Sequence, residues 1–265
     1  VTINVSRLRQ SLHRFDPDGV DCTALALLLD VAHNDVEQPI HHHRKGQLVM
    51  ALRGGVVCEV SNAMWMVPPH HAVWIPGGMP HSNRATNNAR ICFLFVEPEA
   101  SQMPDKCCTL AISPMVRELI LYLADQGFAY PRQGAAARVA AVVLEQLATA
   151  PIERLHLPVS DHPKIRFITD AWELDPSDRR TLVQWADQLA VSGRSLARLV
   201  ERETGLSFGR WRQQWHLIVA LRQLAEGSPV QQVASNLGYD SVTAFITMFK
   251  KSLGQPPAQY FASLR

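Results

Sequence analysis

The sequence predicts a two-domain chain: an N-terminal all-β barrel with added helices, then an all-α domain in which a long helix joins two helix-turn-helix units. Three observations predict it. Short apolar segments broken by Gly and Pro crowd residues 21–98, the periodicity turns helical after Pro98, and two segments beyond Pro163 resemble each other at a spacing of 48 to 49 residues.

Segments 48–52, 56–60, 65–67, 72–75 and 91–96 are apolar or alternating, and Gly54-Gly55, Pro68-Pro69, Pro76-Gly77-Gly78 and Asn87-Asn88 break them. Such runs between turn formers read as antiparallel strands, arranged as a barrel or a sandwich. Pro114 suits the first turn of a helix carrying Met115, Leu119, Ile120 and Leu123 and ending near Gly127. A second helix over 135–148 places Val139, Val142, Val143 and Leu147 on one side. These apolar faces either pack back on the barrel or pair with a second copy, and a homodimer through them is expected. Segment 151–163, with Pro158 at its middle, reads as a linker, which puts the domains at residues 1–157 and 158–265.

Of the 265 residues 47% are hydrophobic, enough for a substantial core, so disorder is excluded as the main state. No apolar run reaches transmembrane length and the first residues lack a basic-then-apolar leader; a cytoplasmic protein without membrane contact is expected. The five cysteines show no CxxC spacing and read as buried free thiols. Charge is unevenly spread. Residues 1–159 hold 13 Lys/Arg against 14 Asp/Glu, whereas residues 160–265 hold 13 against 10. That excess permits a nucleic-acid partner for the second part. Histidine is skewed the other way, with eight of eleven at or before His81.

A lead helix over 163–174 stops at Asp175-Pro176. The first unit then runs from Gln184 through Trp185, Ala186 and Leu189, turns at Ala190-Val191-Ser192-Gly193, and continues from Arg194 to Thr204 and Gly205. The second runs from Gln232 through Val233, Ala234 and Leu237, turns at Gly238-Tyr239-Asp240-Ser241, and continues from Val242 to Leu253 and Gly254. A small Ala lets the second helix cross closely, and Leu189 or Leu237 fills the angle. The short turn leaves the second helix able to enter a major groove. Units over about 181–204 and 230–253 are therefore expected to grip double-stranded promoter DNA. Ser192, and Asp240 or Ser241, are the N-cap candidates.

Outward on the first recognition helix stand Arg194, Ser195, Ala197 and Arg198. Arg198 suits a bidentate guanine contact, and Arg194 either reads a base or neutralises phosphate. Outward on the second stand Val242, Thr243, Ile246 and Thr247, a face limited to methyl and hydroxyl contacts. Lys250 and Lys251 suit phosphates or form a solvated helix end. The first helix is expected to carry more of the specificity and the second more of the positioning.

Leu189 through Gly205, Trp211-Arg212 and Leu237-Gly238-Tyr239-Asp240-Ser241 resemble the DNA-binding domain of the AraC/XylS family of bacterial transcription regulators. The tail Phe245, Phe249-Lys250-Lys251, Leu253-Gly254, Pro256-Pro257 and Tyr260-Phe261 completes the resemblance over residues 163–265. It implies binding of promoter DNA as monomer or dimer, with the two second helices in adjacent major-groove segments. It also implies regulation beside RNA polymerase, as activator or repressor according to where the site lies. Gly193 stands where many members carry Pro, which loosens the turn without removing the motif.

His41-His42-His43 precedes segment 48–52, and His81 follows Pro76-Gly77-Gly78-Met79-Pro80. Alternation lets His41 and His43 point one way, with Gln47 four residues on and a hairpin-borne His81 completing a cluster. Such imidazoles suit zinc, nickel, iron or manganese. His41, His43, Gln47 and Gly54, with Pro76, Gly78 and His81, resemble the two motifs of the cupin family, and residues 21–98 resemble the sensing cupin of many AraC-type regulators. The resemblance implies a barrel that holds a small organic effector among His41, His43, Gln47, Trp65, Trp74 and His81. It implies metal ligands at His41, His43, His81 and Gln47, although Gln47 replaces the usual acidic ligand; a polar pocket without an ion is the alternative. Trp65, Met66 and Trp74 serve either as core or as pocket wall. The run from Trp65 to Pro76 further resembles a subgroup often associated with efflux-transporter genes and drug-like effectors.

The reading that results is a small-molecule-responsive transcription regulator and not an enzyme. A metal-dependent cupin enzyme fused to a DNA-binding domain is the alternative, but no positioned acid, base or nucleophile stands beyond His41, His43 and His81. An architectural DNA binder is the third reading, and it would have no pocket.

Overall fold

The computed structural model describes residues 15–31, 37–60, 63–67, 70–86, 89–127, 130–153, 156–158 and 160–262. They fall into two compact units, Val1–Ser61 with Trp65–Leu155, and Asn62–Met64 with His156–Arg265.

Among the described residues ten strands precede residue 156: β1 (Ala24–Asp30), β2 (Glu37–His41), β3 (Gly46–Arg53), β4 (Val56–Val60), β5 (Ala63–Val67), β6 (His71–Ile75), β7 (His81–Ala85), β8 (Arg90–Val96), β9 (Cys108–Ala111) and β10 (Ile152–Glu153). One sheet has the order β1-β8-β3-β6-β9-β10, and the other carries β5-β4-β7-β2. Neighbours are antiparallel: Leu48 of β3 stands between Leu94 of β8 and Trp74 of β6.

The sheets are open. The closed cupin barrel expected for this domain does not form, because among the described residues neither sheet pairs its last strand with its first. β1 and β10 stand at opposite edges, and β10, drawn from the segment read as a linker, lengthens the sheet by pairing Ile152 and Glu153 with Leu110 and Thr109. Short strands with Gly and Pro turns serve barrels and open sheets alike, so the local pattern does not specify closure.

The six-stranded sheet is apolar on both faces. Ala24, Leu28, Leu48, Met50, Trp74, Cys92 and Leu94 meet α1 (Pro114–Asp125) and α2 (Ala135–Ala148) through Val116, Ile120, Leu123, Ala140, Val143, Leu144 and Leu147. Full burial of each Leu, Val or Ile here contributes roughly 1.5–3 kcal/mol. The intervening residues Leu25, Leu27, Leu29, Val49, Phe93 and Phe95 are also buried, which makes these strands continuous apolar runs. Ser113 caps α1 by accepting the Val116 N–H at 3.3 Å, ahead of Pro114. All five cysteines are free, and all but Cys107 are buried.

In the second unit a short strand, β11 (His156–Pro158), leads into seven helices among the described residues. They are α3 (Pro163–Leu174), α4 (Leu182–Gln188), α5 (Gly193–Thr204), α6 (Phe208–Ala225), α7 (Val230–Asn236), α8 (Val242–Leu253) and α9 (Pro257–Ala262). Trp172 of α3 packs on Phe208, Trp211 and Trp215 of α6 with ring centroids 4.7 to 5.9 Å apart, and the Trp211 indole donates to Pro158 O at 3.2 Å. Consecutive burial from Leu217 to Leu221 makes α6 a core helix, about 27 Å long at 1.5 Å per residue. Among the described residues no helix is long and apolar enough to cross a membrane.

Candidate DNA interface and histidine cleft

The hairpins α4–α5 and α7–α8 are built alike. Trp185 and Ala186 correspond to Val233 and Ala234, Leu196 and Val200 correspond to Phe245 and Phe249, and all eight are buried. Leu237 is buried in the second angle, whereas Leu189 is half-buried in the first. Ser192 Oγ accepts the Ser195 N–H and Ser241 Oγ accepts the Ala244 N–H, both at 3.1 Å, so Ser241 and not Asp240 caps α8. Gly205 and Gly254 stop α5 and α8 at φ of 70° and 77°. The turns themselves use Ala190 at φ 51° and Gly238 at φ 70°.

On α5, Arg194, Ser195 and Arg198 are exposed and Ala197 is half-buried. On α8, Thr243, Thr247, Lys250 and Lys251 are exposed, while Val242, Ile246 and Met248 are half-buried. Two hydroxyls are already engaged: Ser195 Oγ lies 2.8 Å from Ser192 Oγ, and Thr247 donates to Thr243 O at 2.8 Å. The long donors of the pair of faces are therefore Arg194 and Arg198 of α5. α8 offers methyl groups, hydroxyl lone pairs and, at its end, two ammonium groups.

Sequence reasoning missed the side chains that hold these hairpins. Arg179 forms a two-pronged ion pair with Asp240, one hydrogen bond measuring 2.8 Å. His216 of α6 lies 3.2 Å (Nδ1) from the Tyr239 hydroxyl, and burial, aided by Arg212, pushes its pKa down to about 4. Partners this distant in sequence leave no local signal.

In the first unit, His41, His43, His81 and Gln47 come together. Ring centroids are 4.4 Å apart for His41 and His81, 5.1 Å for His43 and His81, and 5.8 Å for His41 and His43. One nitrogen from each ring lies within 4.8 Å of the others. Gln47 and His81 are 2% exposed and His43 9%. Strand pairing explains the meeting: His41 stands opposite His81 across β2–β7, and Gln47 stands opposite Phe95 across β3–β8. Beside them lies a narrow cleft walled by Phe15, Pro17, Phe93 and Phe95. The wall segment is tied down by Lys45, fully buried, whose ammonium donates to Pro17 O at 2.7 Å, and by Asp18, which accepts the Lys45 N–H at 3.0 Å.

Trp65 and Trp74 do not line this cleft. Both are buried, and Trp74 sits in the layer beneath α1 and α2, donating to Pro104 O at 2.8 Å. Phe93 and Phe95 line it instead. Their period-two spacing in an all-apolar strand does not say which face meets a cavity.

The donor set fits a cation. Nδ1 of His41 and of His81 lies 2.9 Å from a backbone carbonyl, Pro39 O and Met79 O, and His43 Nδ1 is as placed against Lys45 O. A carbonyl only accepts, so each Nδ1 carries a proton and Nε2 is the nitrogen left to face a ligand. Burial pushes His81 down to about 4, with His41 and His43 adding to it, so that ring is neutral at pH 7. Gln47 Oε1 lies 2.9 Å from His43 Nε2 and 3.2 Å from His81 Nε2, the second an acceptor facing an acceptor, while Gln47 Nε2 is buried without a partner. Turning the amide over relieves the contact but strands the oxygen, at about 1–3 kcal/mol. A cation accepting from Oε1 and the imidazoles removes the conflict. Three histidines and an amide oxygen therefore could hold a divalent metal ion here.

Residues 185–263 match the family description Helix-turn-helix domain. Over 119 residues, 40% of this chain and 39% of the relative, the chain is 30% identical to an AraC-like transcription regulator of Streptomyces lividans. Over 256 residues, 97% of this chain and 94% of the relative, it is 51% identical to the HTH-type transcriptional regulator NimR of Escherichia coli (strain K12). The chain belongs to the AraC/XylS family of transcription regulators. As a member of that family it binds DNA through its helix-turn-helix units and is not an enzyme. Among solved structures, fatty acid-bound wild-type ToxT of Vibrio cholerae strain SCE256 aligns over 91% of this chain and 95% of its own, at 12% identity and a TM-score of 0.38.

Proposed function

We propose that this AraC/XylS-type regulator reads promoter DNA asymmetrically and answers to a small organic molecule held in the cleft beside His41, His43 and Gln47. The reading is carried by one observation: two hairpins of the same build present unlike outward faces. Arg194, Ser195, Ala197 and Arg198 of α5 supply base readers. Val242, Thr243, Ile246 and Thr247 of α8 supply shape and methyl contacts, and Lys250 and Lys251 bind phosphate. A bidentate arginine–guanine pair adds about 1–3 kcal/mol of discrimination. Arg198→Ala is therefore expected to weaken operator binding about 5- to 150-fold and binding to random duplex only slightly. Equal losses on both duplexes would refute base reading.

In the first unit, His41, His43, His81 and Gln47 are proposed to hold a zinc, nickel, iron or manganese ion. When bound, such an ion acts as a Lewis acid toward an effector donor atom; the protein's part is to keep the three rings aimed. Elemental analysis of purified protein tests this: about one equivalent in the wild type and none in His81→Ala is expected, and equal content in both refutes it. Exposed Met115 and Tyr122 of α1 and Val142 of α2 support a homodimer through these helices. We place the regulator in the cytoplasm with RNA polymerase as its neighbour at the promoter. Residues 1–157 serve as the sensing part and residues 158–265 as the DNA-binding part.

A further inference from the structure

The turn of the second hairpin rests on a loop that belongs, in sequence, to the approach of the first. Residues 175–180 connect α3 to α4 and are held on every side. Asp175 Oδ1 accepts the Ser177 N–H at 3.0 Å and the Ser177 hydroxyl at 2.6 Å. Buried Asp178 accepts the Arg180 N–H and its Nε–H, both at 2.8 Å. The Arg180 guanidinium lies 3.7 Å over the Trp185 ring of α4, and Arg212 of α6 donates to Arg180 O at 3.3 Å. From this fixed loop two contacts reach the second turn. The Ser177 backbone presses on Gly238, where a Cβ would lie 2.7 Å from Ser177 O, and Arg179 grips Asp240 through both carboxylate oxygens.

We propose that residues 175–180 form a strut that sets the spacing and rotation of α8 relative to α5 on DNA, with Arg179 and Asp240 as positioning residues for recognition. The proposal rests on the reading that both second helices engage one duplex. α6 also holds the second hairpin, with His216 Nδ1 3.2 Å from the Tyr239 hydroxyl and Gln213 donating to Ser252 Oγ at 3.2 Å, and the loop adds a separate hold on its turn. One base pair shifts a groove by about 3.4 Å along the axis, so a modest swing is enough to lose register. The strut closes a second connection between the hairpins and turns two readers into one.

Duplexes selected from a random library by the full-length wild type provide the probe, and footprinting on them is expected to show two protected segments. Lengthening the spacer between those segments by one base pair is expected to weaken the wild type at least about tenfold. Arg179→Ala and Asp240→Ala should each lose only about threefold on the natural spacer, the scale of an exposed ion pair. Their further loss on the longer spacer should also shrink to about threefold. Asp240→Ala removes a negative charge, so a purely Coulombic role would instead strengthen DNA binding. The charge exchange Arg179→Asp with Asp240→Arg should restore the wild-type spacer penalty, and thermal melts check that each variant folds. A single protected segment overturns the two-helix reading and the strut together. Two protected segments with an unchanged spacer penalty in the variants, or an exchange that fails to restore it, overturn the strut alone.

Discussion

Replacing Gly238 by Ala should destabilise the second unit by about 3 kcal/mol. Two costs add. An L-residue held at φ 70° carries left-handed strain of about 1–2 kcal/mol. The new methyl carbon would also lie 2.7 Å from Ser177 O and 3.2 Å from Ser177 Cα, backbone atoms that move only with the whole loop, and overpacking of this kind costs about 1–3 kcal/mol. The corresponding residue of the first turn, Ala190 at φ 51°, supplies an internal control. Ala190 is exposed, and Ala190→Gly trades relief of strain against about 0.5–1 kcal/mol of added chain entropy, leaving a change near zero. Urea unfolding followed by tryptophan fluorescence reads the difference, since Trp172, Trp185, Trp211 and Trp215 all lie in this unit. At an m-value of about 1.5 kcal/mol/M, Gly238→Ala lowers the midpoint by about 2 M. A midpoint no lower than that of Ala190→Gly would show that the Ser177 contact imposes no constraint.

The pH dependence of stability follows from His216. Its folded pKa, pushed by burial to about 4, lies below the usual value near 6.5, so the unfolded chain binds the extra proton between those limits. Its contribution is intact above pH 6.5 and is lost as pH falls toward 4, amounting to about 3 kcal/mol at most. His81 titrates over the same window, so the measurement is the difference in slope between wild type and His216→Gln; parallel curves would contradict the assignment. Gly77→Ala should disturb the histidine cleft from outside it, because a Cβ there would lie 2.0 Å from Arg44 O, beside the Gly78 N–H bond to His43 O at 2.7 Å. A cost of about 3 kcal/mol and a fall of about 8 °C in melting temperature are expected, and a shift within one degree would contradict the close approach.

Helices were the most legible part of the sequence. Segments predicted over 135–148, 163–174 and 242–253 form as Ala135–Ala148, Pro163–Leu174 and Val242–Leu253. Their signals are local: Pro163 in a first turn, Ser241 as a cap and Gly254 in the left-handed position just past the end. Strands at 56–60, 72–75 and 91–96 were legible for the same reason, but β10 and β11 lay hidden in a segment whose prolines read as a linker. The two-residue β10 has too little pattern to detect and exists because β9 offers it an edge. The cupin expectation failed at this level. It took strand content and histidine spacing as evidence of closure, which depends on which strands find each other.

The inward and outward residues of the paired hairpins follow from composition and spacing alone. An Ala, a Leu and an amphipathic run at set intervals admit one packing, so burial decides which arginines face out. The sequence also placed three histidines and Gln47 within reach of one another, because they sit on strand ends and a tight turn. Only the tertiary structure decided that the sheets stay open, that Phe93 and Phe95 wall the cleft while Trp74 lies beneath the helices, and that Arg179 braces Asp240. Each of these depends on a partner far away in sequence or on which side of a doubly buried strand is covered. Neither is encoded in any short window of residues.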